Sequence, residues 1–78
     1  MTKEIIINPK IMRGKPVIKG TRIPVYLILN LIAGGYNFAR IIKAYPELTK
    51  KDIKAALKYA QAVVQYEEVM SFPRVAVG

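Results

Sequence analysis

The sequence contains no cysteine and no histidine. Disulfide bonds are therefore excluded, as are zinc sites built on Cys or His and any Cys or His acting as a nucleophile or base. Acidic residues are scarce as well, and none of the five stands at a spacing that would pair two carboxylates for acid–base chemistry. We therefore expect a protein that is not an enzyme and that holds neither a metal ion nor a cofactor.

The sequence also lacks a hydrophobic run long enough to cross a membrane. Its longest nearly uncharged stretch, residues 23–39, is interrupted by Pro24 and by Gly34 and Gly35. The N-terminus does not read as a signal peptide, because its charged start is followed by only three isoleucines. These absences predict a cytoplasmic protein with no membrane partner.

Apolar and basic residues are abundant by contrast. Of the 78 residues, 53% are hydrophobic, which is high for one small domain and predicts a homodimer or another partner interface. The net charge of +8 is unevenly placed, since residues 1–58 carry twelve basic and three acidic side chains and residues 59–78 carry one basic and two acidic. A basic body favours nucleic acid, or an acidic protein surface, as its partner.

The stretch from residue 37 to residue 59 predicts two helices joined by a short turn. Asn37 is a favoured N-cap for the first helix, and Pro46 ends it. Thr49 is the N-cap of the second, and Asp52 three residues later resembles a capping box. Helices connected so closely meet at a steep angle, as in a helix-turn-helix. One face of the second helix is predicted to be buried, comprising Ile53, Ala56, Leu57, Ala60 and Val64.

The second helix also carries an arc of lysines beside its apolar face, formed by Lys50, Lys51, Lys54 and Lys58. Lysines four residues apart repel each other, and no acid shares this face until Glu68, far down the helix. Two interpretations stand side by side, a recognition helix that faces DNA phosphates and an ordinary solvated basic surface. Arg40 and Lys43, on the preceding helix, are further candidates for phosphate contact.

A further helix precedes this pair, opened by Pro24 and ended by Gly34 and Gly35. Three helices then follow at about 24–33, 38–45 and 50–70, the layout of a homeodomain-like unit. Short strands are predicted near residues 5–7 and 17–18, which together could form a β-hairpin-like arm, and pairing with a second copy of the chain would stabilise them further. The fold class is therefore mostly α, with a β arm over residues 1–22, a helical body over 23–70 and a tail over 71–78.

Gly14 and Gly20 enclose Lys15 and Lys19, and this segment resembles a phosphate-binding loop only superficially. The two glycines are six residues apart, and Thr21 rather than lysine follows the second. Turns that need a positive φ are therefore the preferred interpretation of both glycines.

The end of the last helix and the tail form a candidate partner-binding surface, comprising Tyr59, Tyr66, Met70, Phe72, Arg74 and Val75. Ala55 is assigned to the same outer side of the helix. The alternative is a helix that packs back on its own N-terminal arm and a tail that simply frays.

The order and spacing of several short motifs resemble a small prokaryotic family first described as domain of unknown function four-three-three; these motifs are Asn8-Pro9, Gly14-Lys15-Pro16, Gly20-Thr21-Arg22, Tyr45-Pro46 and Leu48-Thr49. The resemblance covers residues 8–60 and implies a homeodomain-like fold and an antitoxin-like role, often beside a PIN-like ribonuclease toxin. It implies no catalytic residues. Arg40 and Lys43 stand where family members usually carry more acid, and this departure favours nucleic acid as the partner.

The expected function is that of a homodimeric, DNA-binding antitoxin that represses its own operon and neutralises a PIN-like toxin. DNA contact is assigned to the lysine arc together with Arg40 and Lys43. The alternative is a protein-interaction module that binds its partner without touching DNA.

Overall fold

The computed structural model describes the backbone of residues 4–71 and the side chains of residues 4–66. Along the chain it contains β1 (Ile5–Ile6), β2 (Val17–Ile18), α1 (Val25–Ala33), α2 (Phe38–Ala44) and α3 (Lys50–Ser71). The predicted fold class, a mostly α, homeodomain-like three-helix unit with a short N-terminal β arm, is confirmed.

The two strands of the arm pair with each other. β1 and β2 are antiparallel, with Ile5 opposite Ile18 and Ile6 opposite Val17. The other edge of β2 bonds to the segment entering α1, since the Ile18 amide donates to the Ile23 carbonyl at 2.9 Å. The β-hairpin-like arm expected from the sequence is therefore formed within one chain, and β1 does not need a second copy of the chain as its partner.

Gly20 and Thr21 make the turn that links β2 to α1. Gly20 has a φ of +81°, a left-handed conformation that side-chain-bearing residues rarely adopt. The Thr21 hydroxyl donates to the Ile18 carbonyl at 2.8 Å and accepts from the Ile23 amide at 3.0 Å. The glycines therefore serve the turns of the arm, as predicted.

Local capping interactions set the ends of the helices. Gly35, with a φ of +100°, follows the last turn of α1. The Asn37 side chain caps α2 by accepting from the Arg40 amide at 2.8 Å. Thr49 and Asp52 form a reciprocal capping box at the start of α3, with bonds of 3.0 and 3.1 Å. These predicted caps are confirmed.

The core lies where the three helices meet the arm. Its buried members are Ile5, Ile18, Ile23, Val25, Ile28, Ile41, Leu48, Ile53, Ala55 and Ala56. Side chains from every element contribute, including β1, so the arm is part of the hydrophobic core and does not hang free of the body.

Two predictions of burial on α3 are wrong. Val64 is 60% exposed, because α3 runs beyond the body of the domain and residues 61–66 are all exposed. Ala55 is only 4% exposed, because β1 packs against the side of the helix that sequence periodicity assigned to the outside. A small side chain at position 55 allows this close approach of strand and helix.

Candidate nucleic-acid interface

The four lysines of the predicted arc lie together on the surface of α3. Lys50, Lys51, Lys54 and Lys58 are all exposed and line one shallow depression of about 370 Å³ together with Glu4 and Ala55. We call these four residues the lysine face. The structure therefore brings together the four residues on which the sequence-based assignment of DNA contact chiefly depended.

The packing of α3 holds the lysine face outward. Ile53 and Ala56 are fully buried against the other helices, and Ala55 is buried on the side next to β1. A helix anchored by apolar contacts on two sides cannot rotate about its axis without exposing one of them. The capping box formed by Thr49 and Asp52 fixes where the helix begins, so that Lys50 and Lys51 stand in its first turn.

An acidic residue borders the lysine face, which sequence reasoning missed. The Glu4 carboxylate lies 3.4 Å from Lys51 Nζ, and the Glu4 carbonyl accepts from the Lys19 amide at 2.7 Å. Lys19 is the cross-strand neighbour of Glu4, and this hydrogen bond places it next to the same edge of the lysine face. No local signal marks this arrangement, because it depends on the pairing of β1 with β2 and on the packing of β1 against α3.

The structure does not place Arg40 and Lys43 in this depression. Both are exposed on α2 and neither lines it. The Arg40 guanidinium lies over the ring of Tyr36, 4.0 Å from its centre, in a cation–π contact. Lys43 stands in the last turn of α2, where a cation interacts favourably with the helix dipole.

A second surface feature is an apolar groove between α1 and α3, of about 490 Å³. We use the term apolar groove for the surface lined by Lys15, Pro16, Val25, Tyr26, Leu29, Tyr59, Ala60, Val63 and Val64. Of the predicted partner-binding residues, Tyr59 lines it, and Tyr66 is 65% exposed further along the same helix. The side chain of Met70, and Phe72, Arg74 and Val75 altogether, lie outside the described residues.

The glycine-rich segment of the arm does not form a phosphate cradle. Several of its amides are already bonded within the chain: those of Gly14 and Lys15 donate to the Ile11 and Met12 carbonyls at 3.0 and 3.1 Å, and Thr21 donates to the Ile18 carbonyl at 3.0 Å. Phosphate loops need such amides pointing at the ligand.

The described part of the chain contains neither a metal-binding cluster nor a helix that could span a membrane. Within it, no three acidic, cysteine or histidine side chains come together in a way that would hold a metal ion. No helix there has the length and hydrophobicity needed to traverse a bilayer. The described surface therefore includes a basic face on α3 and an apolar groove between α1 and α3.

Fold and surface together define a small helix-turn-helix domain with a β arm and a basic last helix. The chain belongs to the family described as "Protein of unknown function (DUF433)", whose model matches residues 5–60. The family resemblance inferred from the sequence motifs is thereby confirmed.

Two relatives illustrate the family. The chain is 39% identical over 61 residues to the uncharacterized protein y4eO of Sinorhizobium fredii, a match that covers 77% of this chain and 28% of that protein. It is also similar to the crystal structure of a DUF433 member protein from Anabaena variabilis, with a TM-score of 0.75 and 30% identity, over 81% of this chain and 62% of that one. The chain thus spans less than two thirds of the length of either relative.

Proposed function

We propose that the chain is a cytoplasmic, non-enzymatic DNA-binding protein that holds DNA through the lysine face. It acts as the antitoxin of a toxin–antitoxin pair, forms a homodimer, represses its own operon and neutralises a PIN-like ribonuclease toxin. The observation that carries the DNA-binding part is that four exposed lysines are held together on one side of α3.

The position of these lysines suits a recognition helix. α3 follows α2 after a short turn, and Lys50, Lys51 and Lys54 lie in its first two turns. In helix-turn-helix proteins the N-terminal part of the second helix enters the major groove, which is about 12 Å wide. Lysine side chains there reach phosphate oxygens and supply affinity more than sequence choice. We therefore assign the lysine face to backbone contact.

The antitoxin part of the proposal rests on the family resemblance and on the division of charge along the chain. Residues 1–58 are strongly basic, whereas residues 59–78 carry two acids and one base. Such a division suits a body that holds DNA and a C-terminal region that covers a toxin. Tyr59, Tyr66, Met70, Phe72, Arg74 and Val75 remain the residues that we assign to partner contact.

Salt-dependent binding to duplex DNA tests the proposal. If each lysine of the face neutralises one phosphate, the log–log slope of affinity against salt is about −3.6 for one chain. Changing Lys54→Glu together with Lys58→Glu is expected to abolish binding while circular dichroism retains the helical signal. The control changes Lys10→Glu with Arg13→Glu, which alters net charge equally on exposed residues of the arm. The assignment is contradicted if both double variants lose the same amount of DNA affinity, or if neither variant loses any.

A second candidate function is a protein-interaction module that does not bind DNA. The apolar groove favours it, because contiguous exposed apolar surface marks interaction sites. Wild-type protein that shows no salt-dependent DNA affinity, and that still binds and silences a co-expressed toxin, would identify this second function as the correct one.

A further inference from the structure

The exposed side of α3 changes its chemistry where the helix leaves the body of the domain. On this side the lysine face is followed by Gln61 and Gln65, which are both exposed. At about 100° per residue, both glutamines fall within the arc that Lys50 and Lys58 define. One continuous polar stripe therefore runs along the helix, charged in its first turns and uncharged beyond them. We call Gln61 and Gln65 the amide pair.

The amide pair lies on a different side of α3 from the apolar groove. Tyr59 and Val63, which line the groove, are centred roughly 160° around the helix axis from the two glutamines. Residues 61–66 are all exposed, because α3 extends past the body of the domain there. Within the described part of the chain, the amide pair is therefore accessible to a ligand along its whole length.

The side-chain amides of Gln61 and Gln65 have no partner within the described part of the chain. None of the side-chain hydrogen bonds among residues 4–66 involves either of them. Glutamine and lysine have similar helix propensities, so helix formation does not account for the change along the stripe. Solubility does not account for it either, since charged side chains serve an exposed surface well. What glutamine adds is an amide that donates and accepts at once.

We propose that Gln61 and Gln65 recognise adenine in the major groove of the DNA that the lysine face holds. This inference deepens the proposed function and rests on its DNA-binding part. In the major groove adenine presents N7 as an acceptor and its N6 amino group as a donor, and no other base offers both. A glutamine amide matches this pattern, because its nitrogen donates to N7 and its oxygen accepts from the amino group.

The dimensions of α3 suit this placement. An α-helix with its side chains is about 10–12 Å across, and the major groove of B-DNA is about 12 Å wide. A helix fits into that groove where no other element widens it, and residues 61–66 project in this way. Homeodomain-like units contact bases with residues spread over about two turns on one side of the third helix. The segment from Lys58 to Gln65 spans the same length of helix.

The spacing of the two amides predicts the spacing of the bases. Gln61 and Gln65 are four residues apart, which is about 6 Å along the helix axis. Base pairs of B-DNA follow one another every ~3.4 Å. A helix lying along the groove therefore sets the two amides against bases about two steps apart. Lys58 stands about 4.5 Å before Gln61 on the same axis, where it reaches a phosphate bordering the groove.

Selection from a pool of DNA duplexes with a randomised central segment tests the inference with the full chain. The wild type is expected to enrich two adenines about two base-pair steps apart. Gln61→Ala should lose the preference at one of these positions and Gln65→Ala at the other. Affinity of each variant for the enriched duplex, measured by fluorescence anisotropy, should fall by roughly 5- to 150-fold. The slope of affinity against salt should persist, because neither substitution removes a charge.

Asn30→Ala is the matched control, since it deletes an exposed amide from a different helix, α1. It is expected to enrich the same sequences as the wild type. Alanine favours the helix at all three positions, and circular dichroism confirms that each variant is folded. Gln61→Arg adds a test by gain of preference. Arginine pairs with O6 and N7 of guanine, so the preferred base at that position should change from adenine to guanine.

Four outcomes overturn the inference: a wild type that binds DNA without enriching any sequence, enriched positions that are not adenine, alanine variants of the amide pair that discriminate as well as the wild type, or an equal loss of discrimination in Asn30→Ala. In each of these cases salt-dependent binding through the lysine face leaves the proposed function standing. A wild type that binds no duplex even at low salt contradicts both. Adenines that are selected by the wild type and lost one by one in Gln61→Ala and Gln65→Ala support both.

Discussion

Glu4 and Lys51 join the N-terminal arm to the lysine face through an ion pair of 3.4 Å. Lys51 is 80% exposed and Glu4 21%, so water screens the pair on one side and its contribution to folding is small. Its larger consequence is electrostatic, because it places one negative charge inside the surface depression that all four lysines line. Glu4 thereby lowers the positive potential that a phosphate backbone would meet.

Removing this charge is expected to strengthen DNA binding. In Glu4→Gln the affinity for duplex DNA at low salt should rise roughly two- to fivefold, the size of one exposed charge interaction. Fluorescence anisotropy against salt measures it, and the gain should shrink as ionic strength rises. Glu47→Gln is the control, since it removes the same charge from an exposed residue that does not line the depression. Equal gains in DNA affinity in both variants would show that the effect comes from the net charge of the protein and not from the position of Glu4.

The capping box at the start of α3 is expected to contribute measurably to stability. Thr49 Oγ1 accepts from the Asp52 amide at 3.1 Å, and Thr49→Ala removes that bond. The free energy of unfolding should fall by about 1 kcal/mol, measured by urea denaturation. Thr49→Ser keeps the hydroxyl and should lose much less. A loss as large in Thr49→Ser as in Thr49→Ala would assign the effect to the methyl group and not to the cap.

The sequence predicts the helices of this fold well because their ends are local. Asn37 and Thr49 each accept a backbone hydrogen bond from three residues further on, and Gly35 takes the positive φ that ends α1. Every partner in these interactions lies within a few positions in sequence, so composition and spacing are sufficient to identify them.

Features that depend on contacts distant in sequence were not predictable in the same way. The burial of Ala55 and the position of Glu4 beside Lys51 both require β1 to lie against α3, which no periodicity within α3 indicates. The exposure of Val64 has a related cause, because helical periodicity continues past the point where the body of the domain ends. The lysine face was predictable, since its four members lie on one helix, but its acidic border was not.

The C-terminal region is expected to carry toxin binding separately from DNA binding. Ending the chain after Met70 removes the predicted contacts Phe72, Arg74 and Val75 and leaves the lysine face intact. DNA affinity should stay near the wild-type value, whereas co-purification with a co-expressed PIN-like toxin should weaken strongly. A second truncated chain that also carries Lys54→Glu and Lys58→Glu should lose both activities. Full toxin binding by the chain ending at Met70 would move the contact surface to Tyr59 and Tyr66.

The last prediction concerns backbone strain in the arm. Met12 and Arg13 have φ values of 50° and 56°, in the left-handed region where side-chain-bearing residues are strained. Arg13 is exposed, so Arg13→Gly removes that strain without opening the core. The free energy of unfolding should rise by about 0.5–1 kcal/mol, with part of the relief offset by the greater freedom of glycine in the unfolded chain.

Arg22→Gly is the matched control, because it deletes an equally charged, exposed side chain from the same arm at a residue whose φ is not positive. It should lower the free energy of unfolding, since glycine there adds unfolded-state entropy and relieves no strain. Urea denaturation of the two variants side by side separates backbone strain from the loss of one positive charge. If the two variants are destabilised equally, the left-handed conformation of Arg13 does not lower the free energy of unfolding, and the turn is not strained.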